Sequence, residues 1–327
     1  MAEAHLDPKR AAELDGIELT DGRGNAAARI GFALELYFTG GETVETRLAL
    51  CEILRDYHGF FSTEISHYLK VDANRPTRIS DEVYLDYYEE QARALNAQEP
   101  FDATVFGYPQ KKIVDEPTPV SISFAATGPE PLSPRGLSHL CAYFSAGFMS
   151  ERGYGFLVDI VKRWAARLNA LHGSAGYSVL FEHGIFGGHG VLSVLPALKR
   201  FPGLDFSDPG MFIAESAGSD GKSIKSINWL TVLCDEFTGR LGAHAGLEAK
   251  LKPACLIHEY DGGIVIQAGD QPQLGDVNHG IVLDGYRRVA EALKPIRFEA
   301  YRRGLFVLST EFDELEETGK WLARFEA

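Results

Sequence analysis

The residues best placed to do chemistry lie in one stretch, "MFIAESAGSDGKSIKSINWLTVLCD", Met211 to Asp235. Gly221-Lys222-Ser223 with a later Asp235 has the outline of a phosphate-binding loop and its magnesium-holding carboxylate. Such a loop needs G-x-x-x-x-G-K-[ST], because its backbone N–H groups must wrap closely around the phosphates. Here Ser216 stands where the first glycine should be. The carboxylate of an NTPase also sits on another parallel strand, reached through a crossover of about a dozen residues or more. Only "IKSINWLTVLC" separates Ser223 from Asp235, and most of it must be the second strand itself. The loop reads as a solvated connection.

The same stretch offers a second chemistry. Ala214-Glu215-Ser216-Ala217-Gly218 is one glycine short of the G-x-S-x-G elbow that exposes a nucleophilic serine. His244, His258 and His279 follow it in the order a Ser–acid–His enzyme requires. A serine hydrolase using Ser216 is therefore the catalytic alternative, decided by whether a histidine lies within hydrogen-bond reach. Two groups could be drawn as metal sites. His183 and His189, in "FEHGIFGGHG", lack the i,i+4 spacing that puts two ligands on one helical face. Asp270, Asp276, Asn278 and His279, in "GDQPQLGDVNHG", lie where Asp and Asn commonly make turns and caps. Structural use is expected, with Asp276 or Asn278 bonding backbone N–H groups. No catalytic residue, metal or cofactor is assigned.

Acidic residues outnumber basic ones 46 to 32 over 327 residues, giving a net charge of −14. Residues 1–150 hold 23 acids against 13 bases. A chain this acidic is unsuited to binding nucleic acid directly, which needs Lys and Arg to displace counterions. It suits a basic partner. The four cysteines, Cys51, Cys141, Cys234 and Cys255, are far apart in apolar segments and form no C-x-x-C pair. They read as buried thiols of a reducing compartment. No apolar h-region opens the chain and nowhere do 18 apolar residues run together. A cytoplasmic protein without a membrane segment is expected.

The elements follow from periodicity. Residues 1–28 are polar and Gly-rich and read as a flexible lead-in, with an α+β domain over 29–327. "RIGFALELYF" alternates, putting Ile30, Phe32, Leu34, Leu36 and Phe38 on one face of a half-buried strand. Val44, Leu48, Cys51 and Leu54 follow at helical spacing, and "VSISFA" is a second alternating run. "LCAYFSAG" then precedes a helix striped by Phe156, Ile160, Trp164, Leu168 and Leu171. These two strand–helix units suggest two similar halves meeting near 130–175. "CLIHEYDGGIVIQAG" reads as a hairpin turned by Asp261-Gly262-Gly263. "GYRRVAEALKP" is a helix stopped by Pro295, "RRGLFVLSTEF" a last strand and "ELEETGKWLARF" a C-terminal helix. Strands and helices mix without regular alternation, so the expected class is α+β, mostly antiparallel sheet with flanking helices.

One segment stands out from its surroundings. "SDEVYLDYYEEQARALNA" opens on a candidate N-cap, Ser80 or Asp81, and carries Asp81, Glu82, Asp86, Glu89 and Glu90. Acids in a first turn suit the helix dipole. Tyr84, Tyr87 and Tyr88 lie among them, and tyrosine is a frequent interface anchor. The plainer alternative is an amphipathic helix with its tyrosines against the core. As a partner-binding face the candidates are Asp81, Glu82, Tyr84, Asp86, Tyr87, Glu89 and Glu90.

Four phrases carry a resemblance: "KRFPGLDF", "IKSINWLTVLCDEFTGRLG", "GIVIQAGDQPQLGDVNHG" and "YRRVAEALKPIRF". In this order they resemble the type VI secretion immunity family formerly described as a domain of unknown function. Its members are linked to effectors with VRR-type nuclease domains. The similarity spans roughly residues 30–300. It implies a non-catalytic inhibitor that binds a cognate effector toxin, a basic nuclease domain, and covers its DNA-binding or active-site face. The family supplies no catalytic residues to transfer.

Overall fold

The structure is a computed structural model that describes residues 6–71, 73, 75–107, 117–130, 133–182, 188–219, 221–306, 308 and 311–326. Its strands are β1 Glu18–Thr20, β2 Ala26–Phe38, β3 His67–Leu69, β4 Thr77–Arg78, β5 Phe101–Phe106, β6 Ser121–Ala126, β7 Ser138–Phe144, β8 His172–Leu180, β9 Leu230–Cys234, β10 Leu256–Tyr260 and β11 Gly263–Gln267. The helices are α1 Pro8–Asp15, α2 Val44–Phe61, α3 Val83–Ala94, α4 Ala146–Arg152, α5 Tyr154–Leu168, α6 Gly188–Arg200, α7 Pro209–Ser216, α8 Asp235–Arg240, α9 Ala243–Leu251, α10 Asp284–Leu293 and α11 Glu314–Leu322. One sheet runs β10-β11-β9-β8-β2-β7-β6-β5-β3-β4, with β1 paired to β2. Every pairing is antiparallel. The class is α+β, as the mixed element order implies.

The alternation in β2 is real, but the strand is buried on both faces from Ala28 to Phe38, not on one. Phe32, Leu34, Leu36 and Phe38 join the main apolar core, on the side where α2 and α5 pack. Glu35 and Tyr37 point the other way, in register with Cys141 and His139 of β7 and with Ser174 and His172 of β8. That second face sets a buried carboxylate among apolar side chains, Ala33, Cys141, Tyr143 and Leu180, so part of its cover must be polar. Lys225 Nζ reaches Glu35 Oε2 at 2.5 Å, and Ser207 Oγ donates to Glu35 Oε1. Asp205 accepts from Phe206 N at 2.9 Å and Ser174 Oγ at 3.3 Å, and pairs with Arg324 Nη2 at 3.4 Å. Burial pushes the His172 imidazole down to about 3, aided by Lys225, so it is neutral in the folded chain.

On the first face, α2 is capped by Thr43, whose hydroxyl accepts from Thr46 N. Its fully buried Arg47 donates to the carbonyls of Gly41, Leu95, Asn96 and Glu99 at 2.7–3.0 Å, which fastens α2 to the loop after α3. Trp164 of α5 is buried and donates Nε1–H to Asp56 of α2 at 3.1 Å.

Three expectations change. The lead-in is not structureless: residues 8–15 form α1 and 18–20 form β1. Asp15 explains it, because its carboxylate accepts from Ala146 N and Gly147 N at 2.7 and 2.8 Å, the first amides of α4. "RRGLFVLSTEF" is not a strand over its described residues, and backbone amides of Arg302 and Arg303 go to the Glu215 carboxylate instead. Val44 is exposed while Arg47 takes an inward place on α2. The hairpin stands as read. Gly262 turns it at φ +99, and a Cβ on Gly263 would meet Leu233 O at 2.2 Å.

Lys225 and Glu35 are both at least 96% buried as side chains, given exposures of 2% and 4%. Lys225→Met strands a buried carboxylate and lowers unfolding stability by about 3–5 kcal/mol. The double change Glu35→Leu/Lys225→Met costs less than the single one, as chemical denaturation of both variants will show.

Candidate functional site

The acidic segment forms α3, and its residues separate by face. Tyr84 and Tyr88 are buried, and Tyr84 OH meets His58 Nδ1 at 2.7 Å. Tyr84 is therefore a core residue, not a partner anchor. Tyr87 is half-buried: its hydroxyl accepts from Val71 N at 3.2 Å, and the Lys70 ammonium lies 5.8 Å from its ring centre. Glu82 occupies the N-cap position, while Asp81 accepts from Val83 N at 3.0 Å. Asp86 and Glu89 share Arg55 of α2 at 3.1 and 2.8 Å, and Glu89 also takes Arg93 at 3.0 Å. Arg55 first and Arg93 second hold the Glu89 carboxyl below its ordinary value. Glu82 lies 3.4 Å from His58 Nε2. The outward surface of this helix and the turn before it is thus Asp81, Glu82, Val83, Asp86, Glu90, Arg93 and Ala94. Val83, 64% exposed, was missed because it falls one position off the inward Tyr84–Tyr88 line.

The Met211–Asp235 stretch assembles neither of its candidate chemistries. Helix α7, not a strand, leads into the Gly-Lys-Ser loop, and β9 is antiparallel to both its neighbours. Ser216 ends α7, so the elbow order of strand, serine, helix is absent. The residue is 1% exposed, and its Oγ has no hydrogen-bond partner among the described residues. The three histidines considered for it face elsewhere: His244 pairs with Glu259, His258 with Gln267, and His279 with Asp276.

In "GDQPQLGDVNHG", Asp276 is a buried structural centre. It accepts from Asn278 N at 3.0 Å, from His279 Nδ1 at 2.8 Å and from Arg200 Nη2 at 2.9 Å. Arg200 above all, then His279 and the Asn278 amide, hold its carboxyl well below the usual range. Asp270 is exposed and stands apart from this set. His183 and the side chain of His189 lie outside the described residues. Sequence reasoning also missed three exposed aliphatic residues in this loop, Val277, Ile281 and Val282. The run Ile281-Val282-Leu283 looks like the inward start of α10, yet only Leu283 is buried.

Comparison with known proteins adds the family. Residues 61–325 match the family TsiV, described as "Type VI immunity for VRR-NUC". The chain belongs to this immunity family. Among solved structures it is similar to the Pseudomonas aeruginosa T6SS protein PA0821, at 20% identity and a TM-score of 0.79. That likeness covers 97% of this chain and 90% of the other. No protein of curated function matches. At that identity the structural likeness establishes a shared fold alone. Among the described residues no helix is long and apolar enough to cross a membrane.

Asp276→Ala removes the loop's central acceptor and lowers the melting temperature by a few degrees. The folded carboxyl titrates below the unfolded one, so its contribution is present above about pH 3.9 and is lost as pH falls toward the folded value. Melting curves of the two proteins from neutral to acid pH will converge accordingly.

Proposed function

We propose that the protein is a non-catalytic immunity protein that binds and neutralises a cognate VRR-NUC effector in the cytoplasm of the cell that makes it. The match of residues 61–325 to the immunity family carries this reading. The charge supports it: a nuclease must present a basic surface to DNA, and a chain of net charge −14 is complementary to such a surface. Covering that face, or its approach, would stop cleavage without any chemistry by the inhibitor. It needs no direct contact between this protein and nucleic acid.

The exposed acids on α3 and in the turn before it, namely Asp81, Glu82, Asp86 and Glu90, with Glu89 beside them, form one contact region in this reading. Their role is to speed encounter, because rim charges act chiefly on the association rate and its salt dependence. Two of them share Arg55. Removing them therefore both subtracts negative charge and frees a cation, which enlarges the electrostatic change. Their individual contribution to folding is small, since exposed ion pairs contribute about 0–1 kcal/mol.

The triple variant Asp86, Glu89 and Glu90 to Ala will associate more slowly with the cognate nuclease domain at low salt, by about tenfold or less. The difference from the native chain will shrink as salt rises. Equal association rates at all salt concentrations, with the variant folded, would remove α3 from the contact.

A further inference from the structure

The loop between β11 and α10 displays apolar side chains on a rigid mount. Val277, Ile281 and Val282 are 55%, 54% and 53% exposed, although six residues suffice to span them. Nothing about the loop is slack. Asp276 and Ile281 exchange backbone hydrogen bonds at 3.3 and 3.0 Å, and the Asp276 carboxylate is held by Arg200 and His279. Before the tip, Leu274 O accepts from Gly203 N at 2.8 Å, and Gln273 N donates to the buried Tyr286 hydroxyl at 3.2 Å. Gly275 and Gly280 turn the chain at φ +68 and +65, a conformation costly to other residues. Behind the tip, Leu283 is buried in the core.

Beside this tip lies a cleft of about 610 Å³ walled by Leu6, Leu14, Ile17, Tyr154, Tyr177 and Ile281. Ile17 is itself exposed, so aliphatic surface flanks the cleft from α1's end as well as from the loop. Asp7 and Glu13 also line it, against a single cation, Arg10. The exposed Asp270 precedes the cleft residue Gln271. Apolar surface held rigid and rimmed by charge marks an interaction site, and binding energy concentrates where such side chains meet a fitted counterpart.

We infer that this tip and cleft are the apolar anchor site for the effector's nuclease domain. This rests on the neutralisation reading above. The partner inserts an apolar ridge into the cleft, with basic side chains beside it to meet Asp7, Glu13 and Asp270. The acids of α3 would govern encounter, whereas this site governs how long the complex lasts.

The test uses the full chain and a purified cognate VRR-NUC effector domain. Three quantities are measured: dissociation constant, melting temperature and solution mass. The triple variant Val277→Ser/Ile281→Ser/Val282→Ser changes only exposed side chains and should melt within about 2 °C of the native chain. Its dissociation constant should rise by about tenfold or more, mostly through faster dissociation. If that variant misfolds, Ile281→Asp alone carries the measurement, with the same rise expected. A change below about twofold in a folded variant, while the native chain binds tightly, overturns the anchor site and leaves the neutralisation reading standing. Loss of a native dimer with unchanged effector affinity assigns the face to a second copy and also overturns it. A native chain that fails to bind the nuclease domain sinks the neutralisation reading and the anchor site together.

Discussion

The buried pairing of Glu35 with Lys225 is the constraint on which the second face of the sheet depends. Among the described residues β2 is the one strand with three partners, β1, β7 and β8, and Glu35 lies within it. A carboxylate there cannot be covered by a greasy helix, because an unpaired buried charge is too costly. The chain covers it with the connection from Asp205 to Asn228, in which α7 is the only α-helix among the described residues. That connection is fixed at several points by polar contacts. Asp205 O bonds Val179 N, Ile224 exchanges bonds with Ile296 and Phe298, and Asn228 Nδ2 donates to Tyr177 O. An apolar pair of similar volume can be as stable as an ion pair. What the ion pair adds is a penalty for any other placement of either residue.

The two faces are therefore built by different physics. On one side α2, α3 and α5 meet the sheet through apolar stripes, and arginines stitch the layer: Arg47 to four carbonyls, Arg55 to α3, Arg167 to Glu52 and Asp56. On the other side Arg324 closes the assembly, donating to Pro202 O and Ile227 O with its guanidinium 3.8 Å from the Trp321 ring centre. Many acids are spoken for by these contacts. Exposed acids remain at α3, where Asp86 and Glu89 share Arg55, and beside the α1 cleft, at Asp7 and Glu13.

Periodicity made some of the regular elements legible. The strands at "RIGFALELYF" and "VSISFA", the hairpin at Asp261-Gly262 and the helices α5, α10 and α11 follow from period and turn chemistry in the residues themselves. What periodicity could not give was the fate of Glu35 and Tyr37, because a polar residue alternating with apolar ones looks the same whether it faces water or Lys225. The lead-in was misread for a related reason: Asp15 caps a helix more than a hundred residues away, and no local pattern announces it. Ser216 and Lys222 were discounted on a missing first glycine and, for the loop, on its short spacing to Asp235; the structure ends α7 at Ser216 ahead of that loop. On α3 the acids were legible but their faces were not; Tyr84 and Tyr88 turned inward and left Val83 outside. The exposed loop tip at Val277 and Ile281 was hidden because aliphatic residues ahead of a helix ordinarily read as core.

Family membership and acidity support the proposal that the protein acts by covering another. The most direct test of that proposal is stoichiometric inhibition of DNA cleavage by a purified cognate VRR-NUC domain, titrated with the native protein. The account predicts that cleavage falls linearly and ceases near one equivalent, with the protein itself leaving the DNA untouched. Undiminished cleavage at saturating protein, with both components folded, would contradict it.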